Sequence, residues 1–198
     1  MIKTYIEDEE FEGIDFKDTK LKRGNYENCN FMSCNFSNCD LSEIVFEECE
    51  FKDCDLSMAS IENTGFRNVR FKNCKLFGLK FEDCNNLMLQ VKFEDCQLNY
   101  TSFYKQSLKA TIFLKCLLEE VDFTETDLTN SKFDKCDLRG AIFEQTILER
   151  VDFRTSNNYS IDPELNKIKK AKFSINGLIG LLGKYDIEVE WIKLIFKE

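Results

Sequence analysis

The stretch NCNFMSCNFSNCDL, residues 28–41, sets Cys29, Cys34 and Cys39 five residues apart, and the 198-residue chain carries ten cysteines in all. Thiols at regular spacing could ligate a metal, pair as disulfides or attack a substrate. A structural zinc site needs thiolates, usually with imidazoles, converging on one tetrahedral point. The chain has no histidine, which removes mixed Cys/His sites together with Ser-His-Asp triads and Cys-His pairs. NGLIGLLG, residues 176–183, is not a phosphate loop, because it lacks the Lys-Ser/Thr ending and its glycines space apolar residues. Carboxylates strung along a surface, without a pocket to shift their pKa, make no acid–base pair. These residues predict a protein that is not an enzyme and holds no cofactor and no metal.

What positions the cysteines is a period of five. From Ile6 every fifth residue is large and apolar, through Phe11, Phe16, Leu21, Tyr26 and Phe31 to Phe81. The phase slips by two residues in NNLMLQV, residues 85–91, and resumes at Met88, Phe93 and Leu98 through to Phe153. That spacing fits neither the 3.6 of a helix nor the 2.0 of a strand. A chain that turns a corner every five residues would put one such residue inward on each side of a square coil. Two places before most centres stands something slim, Gln106 being the main polar exception, and all ten cysteines occupy that place. The other three places carry nearly all the charge and face water.

Four times five makes residues 20 apart stack, at about 4.8 Å as in any parallel ladder. One column is then Phe11, Phe31, Phe51, Phe71, Phe93, Phe113, Phe133 and Phe153, which is core. Cys34, Cys54, Cys74, Cys96, Cys116 and Cys136 form another. A ladder sets thiols in a line, not around a point, and parallel in-register side chains point the same way, which disfavours disulfides. Cysteine here reads as a slim, readily buried hydrophobe.

The motif in CNFSN, CDLSM, CKLFG, TDLTN and CDLRG resembles the pentapeptide-repeat family over about Ile6 to Phe153. The resemblance implies an all-β, right-handed quadrilateral parallel β-helix with four pentapeptides per coil, closed by a small C-terminal helical and strand cap. Residues 1–158 are expected to form about 7.5 coils, with the slip near 85–90, and residues 159–198 a capping and dimerisation module. In that tail Asp162 reads as an N-cap with Pro163 at the first helical position and Ile161, Leu165 and Ile168 on one side of a short helix. SINGLIGLLGKY reads as a second short helix stopped by Gly183, and residues 186–196 as a strand. A solenoid end exposes unpaired backbone and an apolar lumen, so a lid is expected. Leu178, Leu181, Leu182, Ile187, Val189, Trp191, Leu194, Ile195 and Phe196 exceed what one lid needs, which predicts a homodimer. GLIGLLGKYDIEVE is similar to the C-terminal segment of the Qnr-type quinolone-resistance proteins within that family. That resemblance implies end-to-end dimers that imitate duplex DNA and bind bacterial type II topoisomerases, DNA gyrase or topoisomerase IV. The chain departs from those proteins in lacking sizeable loops between coils.

The composition bears on the same question. The chain has 27 Lys and Arg against 36 Asp and Glu, a formal charge of −9, and no basic cluster stands out. This argues against direct contact with nucleic acid or an anionic membrane. The start lacks a signal-peptide pattern and no 18-residue apolar run occurs, so a soluble cytoplasmic protein with reduced thiols is expected. On the side centred on Leu41, Ile61, Phe81, Phe103, Phe123 and Phe143, the outward places hold Asp40, Glu43, Glu62, Glu82, Asp83, Asp122, Glu125 and Glu144, the candidate DNA-like face. Phe77, Tyr100, Tyr104 and Leu117 form an outward aromatic and apolar patch, a candidate contact surface. The alternative to topoisomerase binding is a generic interaction scaffold for another partner.

Overall fold

The period of five becomes a parallel β-solenoid. The computed structural model describes residues 4–185 and 187–189. Among the described residues eleven short strands lie on two faces. Strands β1 (Thr4–Glu7), β3 (Gly24–Glu27), β5 (Val45–Glu47) and β7 (Gly65–Arg67) form one parallel sheet in that order. On the adjoining face β2 (Glu10–Glu12), β4 (Asn30–Met32), β6 (Glu50–Lys52), β8 (Val69–Lys72), β9 (Val91–Glu94), β10 (Ile112–Leu114) and β11 (Lys132–Asp134) form the second. Register confirms the coil length: Phe11 pairs Phe31 and Phe31 pairs Phe51, twenty residues on, while Phe71 pairs Phe93 across the slip. The other two faces are turns held by single bridges, such as Asp55 to Lys75 and Lys80 to Ser102.

Three local rules build each coil. The inward residues are buried, and in the phenylalanine column rings stack face to face, 4.7 Å apart between Phe113 and Phe133 with a 1° tilt. Two places after most centres the backbone enters the left-handed region, as at Asn28 (φ 50°), Asn73 (φ 50°) and Asn130 (φ 63°). Asn, Asp and Gly tolerate that conformation best, which explains their frequency there. One place before many centres, an Asp or Asn side chain accepts a hydrogen bond from the amide two residues on. Examples are Asp55 from Ser57 (2.9 Å), Asp122 from Thr124 (2.8 Å) and Asp127 from Thr129 (3.0 Å). These are Asx turns that shape the corner.

The cysteine place has a second requirement beyond slimness. The thiols of Cys54, Cys74 and Cys136 each lie 3.3 Å from a carbonyl 23 residues back, those of Phe31, Phe51 and Phe113. Thr64, Thr126 and Ser131 occupy the same place and donate their hydroxyls to Leu41, Phe103 and Leu108 at 2.8, 2.7 and 2.6 Å. Cysteine is therefore a slim donor as well as a hydrophobe, which the reading from composition missed. Nine of the ten are buried, Cys39 is partly exposed, and all are free thiols. Burial pushes the Cys49 and Cys84 thiols up to about 12. Cys54→Ala should cost about 1 kcal/mol, the worth of one modest hydrogen bond, and Cys54→Thr should recover part of it. Thermal denaturation of the three proteins checks this.

The slip and the tail differ from expectation in detail. The two extra residues are absorbed in two 3₁₀ turns, Phe81–Asp83 and Asn86–Met88, with Asn85 capping the second. Leu89 is buried there and Leu87 is fully exposed; the side chain of Met88, the expected centre, lies outside what is described. The four-stranded sheet ends at this point. At the other end, Asp162 does not start the expected helix. The ladder runs past Asn158, with bridges to Lys167 and Lys172, and Phe173 stacks on Phe153 at 5.5 Å. Asn166 fills the slim place, bonding the Phe143 carbonyl at 2.8 Å. The Asp162-Pro163 pair makes an Asx turn instead, with Glu164 donating to Asp162 at 2.8 Å. Beyond it lie 3₁₀ turns at Asn176–Leu181 and Gly183–Tyr185 where a helix was expected. The strand expected across 186–196 is not formed at residues 187–189; Trp191, Leu194, Ile195 and Phe196 lie outside the described residues.

Candidate interaction surfaces

A lumen filled by stacked rings leaves only surfaces for function. The eight acids of the candidate face do stand on one side, in the columns joined by the Asp40–Ser60 and Lys80–Ser102–Asp122–Ile142 bridges. They are not equivalent. Asp40 and Asp122 are turn acids, accepting from the amides of Ser42 (3.0 Å) and Thr124 (2.8 Å). The hydrogen bonds with Ser42, and Arg23 after them, hold the Asp40 carboxyl below its ordinary value. Arg23 reaches both Asp40 (3.4 Å) and Glu43 (3.5 Å), and Lys105 reaches Glu125 (3.6 Å). Glu62, Glu82, Asp83 and Glu144 form no ion pair among the described residues. One oxygen of Glu82 is buried without a hydrogen-bond partner. The free negative charge of this side is thus gathered at Glu62, Glu82 and Asp83, in neighbouring coils, and again at Glu144.

The apolar patch runs over successive coils, with one ring contact in it. Phe77 and Tyr100 are 44% and 49% exposed with ring centroids 5.0 Å apart, and Leu117 is 48% exposed in the next coil. Met58, 56% exposed, extends the stripe by one coil in the other direction. Its thioether lies over Gly78 (φ 66°), where any Cβ would meet the sulfur. Sequence reading missed Met58, whose signal was an apolar residue at an outward corner place. Tyr104 stands apart from the stripe: its hydroxyl donates to Glu125 at 3.2 Å and Lys105 lies 4.7 Å above its ring.

Two features of the ends were not expected. Between the first two coils residues 17–23 leave the ladder, opening a cleft of about 530 Å³ lined by Phe16, Leu21, Cys39 and Leu41 with Lys17, Lys20 and Arg23 at its rim. Burial raises the Cys39 thiol, so the cleft offers a protonated thiol rather than a nucleophile. At the opposite end, the last bridged coil sets Lys167, Lys169, Lys170 and Lys172 exposed on one corner. The pattern of the sequence conceals this basic cluster, since the segment from Asp162 reads there as a short helix.

The cap is pinned over that end. Lys184 pairs with Asp162 (2.8 Å) and Glu164 (2.7 Å), and Gly180 accepts from the Ile161 amide at 2.8 Å. Leu181 packs against the core and Leu182 is half-buried, whereas Leu178, Ile187 and Val189 are exposed. Among the described residues no cluster of side chains suits a metal ion, and no helix is long and apolar enough to cross a membrane.

A family model for the pentapeptide repeat region matches residues 19–87, 44–123 and 86–161. No match was found among curated proteins. Among solved structures, HetL, a pentapeptide repeat protein involved in heterocyst differentiation regulation from the cyanobacterium Nostoc sp. strain PCC 7120, is 14% identical over 87% of each chain, with a TM-score of 0.67. A trypsin-treated form of QnrB1, a plasmid-mediated fluoroquinolone resistance protein, is 22% identical over 94% of this chain and 100% of its own, with a TM-score of 0.45. Rfr23 from the cyanobacterium Cyanothece 51142 is 18% identical over 71% of this chain and 88% of its own, with a TM-score of 0.24. Of these, the HetL superposition speaks for the fold, and for nothing beyond it.

Proposed function

This chain belongs to the pentapeptide-repeat family, and on that premise we propose that it is a non-enzymatic binding rod whose acidic side imitates duplex DNA in the basic groove of a bacterial type II topoisomerase, DNA gyrase or topoisomerase IV. The observation that carries the reading is the set of unpaired carboxylates at Glu62, Glu82, Asp83 and Glu144, on a side whose other acids are held by turns or cations. The tail resemblance noted above supports the same partner and adds protection from quinolones. Charge density limits the imitation. The coils to Asn158 hold 30 acidic and 20 basic residues, a net of about −10, against about −21 for DNA over the roughly 36 Å such a rod would span. Only a partner that meets the acidic side alone would see a DNA-like field. Self-association belongs to the same reading, with exposed Leu178, Ile187 and Val189 as apolar surface at the C-terminal end and a homodimer as its smallest form.

The test is gyrase supercoiling across a titration of the protein, with and without a fluoroquinolone. Binding that weakens steeply with salt, is competed by duplex DNA and is lost in Glu62→Gln/Glu82→Gln/Asp83→Asn supports the reading. No effect on supercoiling at any dose removes it. A specific observation favours a second reading in that event: Met58, Phe77, Tyr100 and Leu117 are exposed in successive coils, with the Phe77 and Tyr100 rings in contact, and such a surface suits a scaffold for another protein.

A further inference from the structure

On one side of the first coil the ladder is left unmade. Between the second and third coils that side is closed: the amides of Asn38 and Leu41 donate to the carbonyls of Ser57 and Ser60, and the Ser60 amide to that of Cys39, each at 2.9 Å. Twenty residues earlier the counterparts would be the amides of Asp18 and Leu21 on Ser37 and Asp40. Residues 17–23 turn on themselves instead, Thr19 donating to the Asp15 carbonyl at 3.3 Å and the Lys17 amide to the Asp15 side chain at 2.9 Å. The carbonyls of Ser37 and Asp40 and the amide of Asp40 are left without a backbone partner among the described residues. Both residues line the cleft of about 530 Å³ described above, a volume within the range of about 300–1,000 Å³ for ligand sites.

The charge at this cleft is one-sided. Lys17 and Lys20 are exposed and form no ion pair among the described residues. The one acid in the lining, Asp40, already accepts from the Ser42 amide at 3.0 Å and from Arg23 at 3.4 Å. Phe16, Leu21 and Leu41 supply apolar lining, with Cys39, the one cysteine of the ten that is not fully buried. We propose that the cleft takes an extended acidic segment of another protein, which pairs its backbone with Ser37 and Asp40 in the place that residues 17–23 leave and sets its carboxylates against Lys17 and Lys20. In such strand addition the backbone bonds supply affinity and alternate side chains supply choice. Every second side chain of the segment meets the apolar lining, and those between meet the lysines. A small organic anion would satisfy the lysines and the Asp40 amide but leave the two carbonyls without a donor. A basic segment would set ammonium against ammonium. The contact uses none of Glu62, Glu82 and Asp83, so it goes beyond the topoisomerase reading and stands or falls apart from it.

Fluorescence anisotropy on the full chain tests it with a labelled peptide, Glu-Val-Glu-Val-Glu. That peptide should bind, whereas Lys-Val-Lys-Val-Lys should not, and the acidic peptide N-methylated along its backbone should lose binding because it can no longer donate to the two carbonyls. Lys17→Glu/Lys20→Glu should bind the acidic peptide about tenfold more weakly, as expected for two exposed pairs, and should take the basic one instead. Circular dichroism and melting confirm that this variant is folded. Glu62→Gln/Glu82→Gln/Asp83→Asn should bind the acidic peptide like the unmutated chain. Alkylation by N-ethylmaleimide, followed by mass spectrometry, locates the peptide: its presence should slow modification of Cys39. Absence of binding by the acidic peptide overturns the proposal, as does equal binding of its N-methylated form, indifference of the folded lysine variant, or a Cys39 that stays unprotected. Protection of Cys39 by N-acetylglutamate as strong as that by the peptide also overturns it, since the cleft would then be a site for a small anion.

Discussion

Phe113→Ala is expected to destabilise the rod by about 3–5 kcal/mol, the range for truncating a fully buried aromatic side chain. Its ring sits between Phe93 and Phe133 at 5.2 and 4.7 Å and meets Phe103 and Phe123 edge-on at 6.2 and 6.1 Å. Removing it takes one plate from a stack and leaves a hole walled by backbone ladders that cannot close without breaking register. Phe77→Ala is the matched control, since the same side chain is 44% exposed; it should change stability by no more than about 0.5 kcal/mol. Urea denaturation of both variants separates the two. Equal losses would mean that the inward column is not what holds the coils together.

Gly180→Ala is expected to lift the C-terminal cap. A Cβ at Gly180 would fall on the Tyr159 carbonyl oxygen and against the Tyr159 ring, and one at Gly177 would fall on the Tyr159 hydroxyl. The cap therefore lies on Tyr159 through two glycines, close enough for Gly180 to accept from Ile161. The Tyr159 carbonyl is backbone and cannot give way without moving the coil beneath the cap. Overpacking of this kind costs about 1–3 kcal/mol, and here it should be localised: hydrogen exchange at the Ile161 amide should rise while the amides around Phe113 keep their protection. Gly13→Ala is the contrast. Its φ of 65° is strained for alanine but nothing lies within 4 Å of the new Cβ, so it should leave the cap untouched. Unchanged exchange at Ile161 in Gly180→Ala would mean that the cap is not seated there.

Much of this fold is legible from periodicity alone because one place in five is buried and the rest are not. The phenylalanine column, the place of every cysteine and the slip near residue 88 follow from counting. Four things did not, each for a physical reason. The last coil is hidden because Asn158 and Pro163 interrupt the apolar centres, although Asn166, Ile168 and Phe173 stand twenty residues from Thr146, Leu148 and Phe153 and keep their roles. The donor role of cysteine was hidden because burial and hydrogen bonding favour the same small side chains; Thr64 and Ser131 in that place were the clue. The acidic side was misjudged because Asp serves the backbone as readily as a partner. Asp40 and Asp122 cap amides, so a bare count of acids overstates the charge available to another molecule. Met58 was missed since an outward methionine in one coil says nothing until the neighbouring coil puts Gly78 beneath it.

The uniform coil has a consequence for how the chain reaches this state. The ladder joins residues about twenty apart everywhere, from Asp8 with Glu27 to Phe153 with Lys172. Divided by the chain length, that separation gives a relative contact order of about 0.1, in the range of helical bundles rather than of β-sandwiches. Sheet proteins generally fold slowly because distant segments must meet before any pairing stabilises them. Here each loop to be closed is short and every one is the same size, so the all-β architecture is assembled by a sequence of local steps.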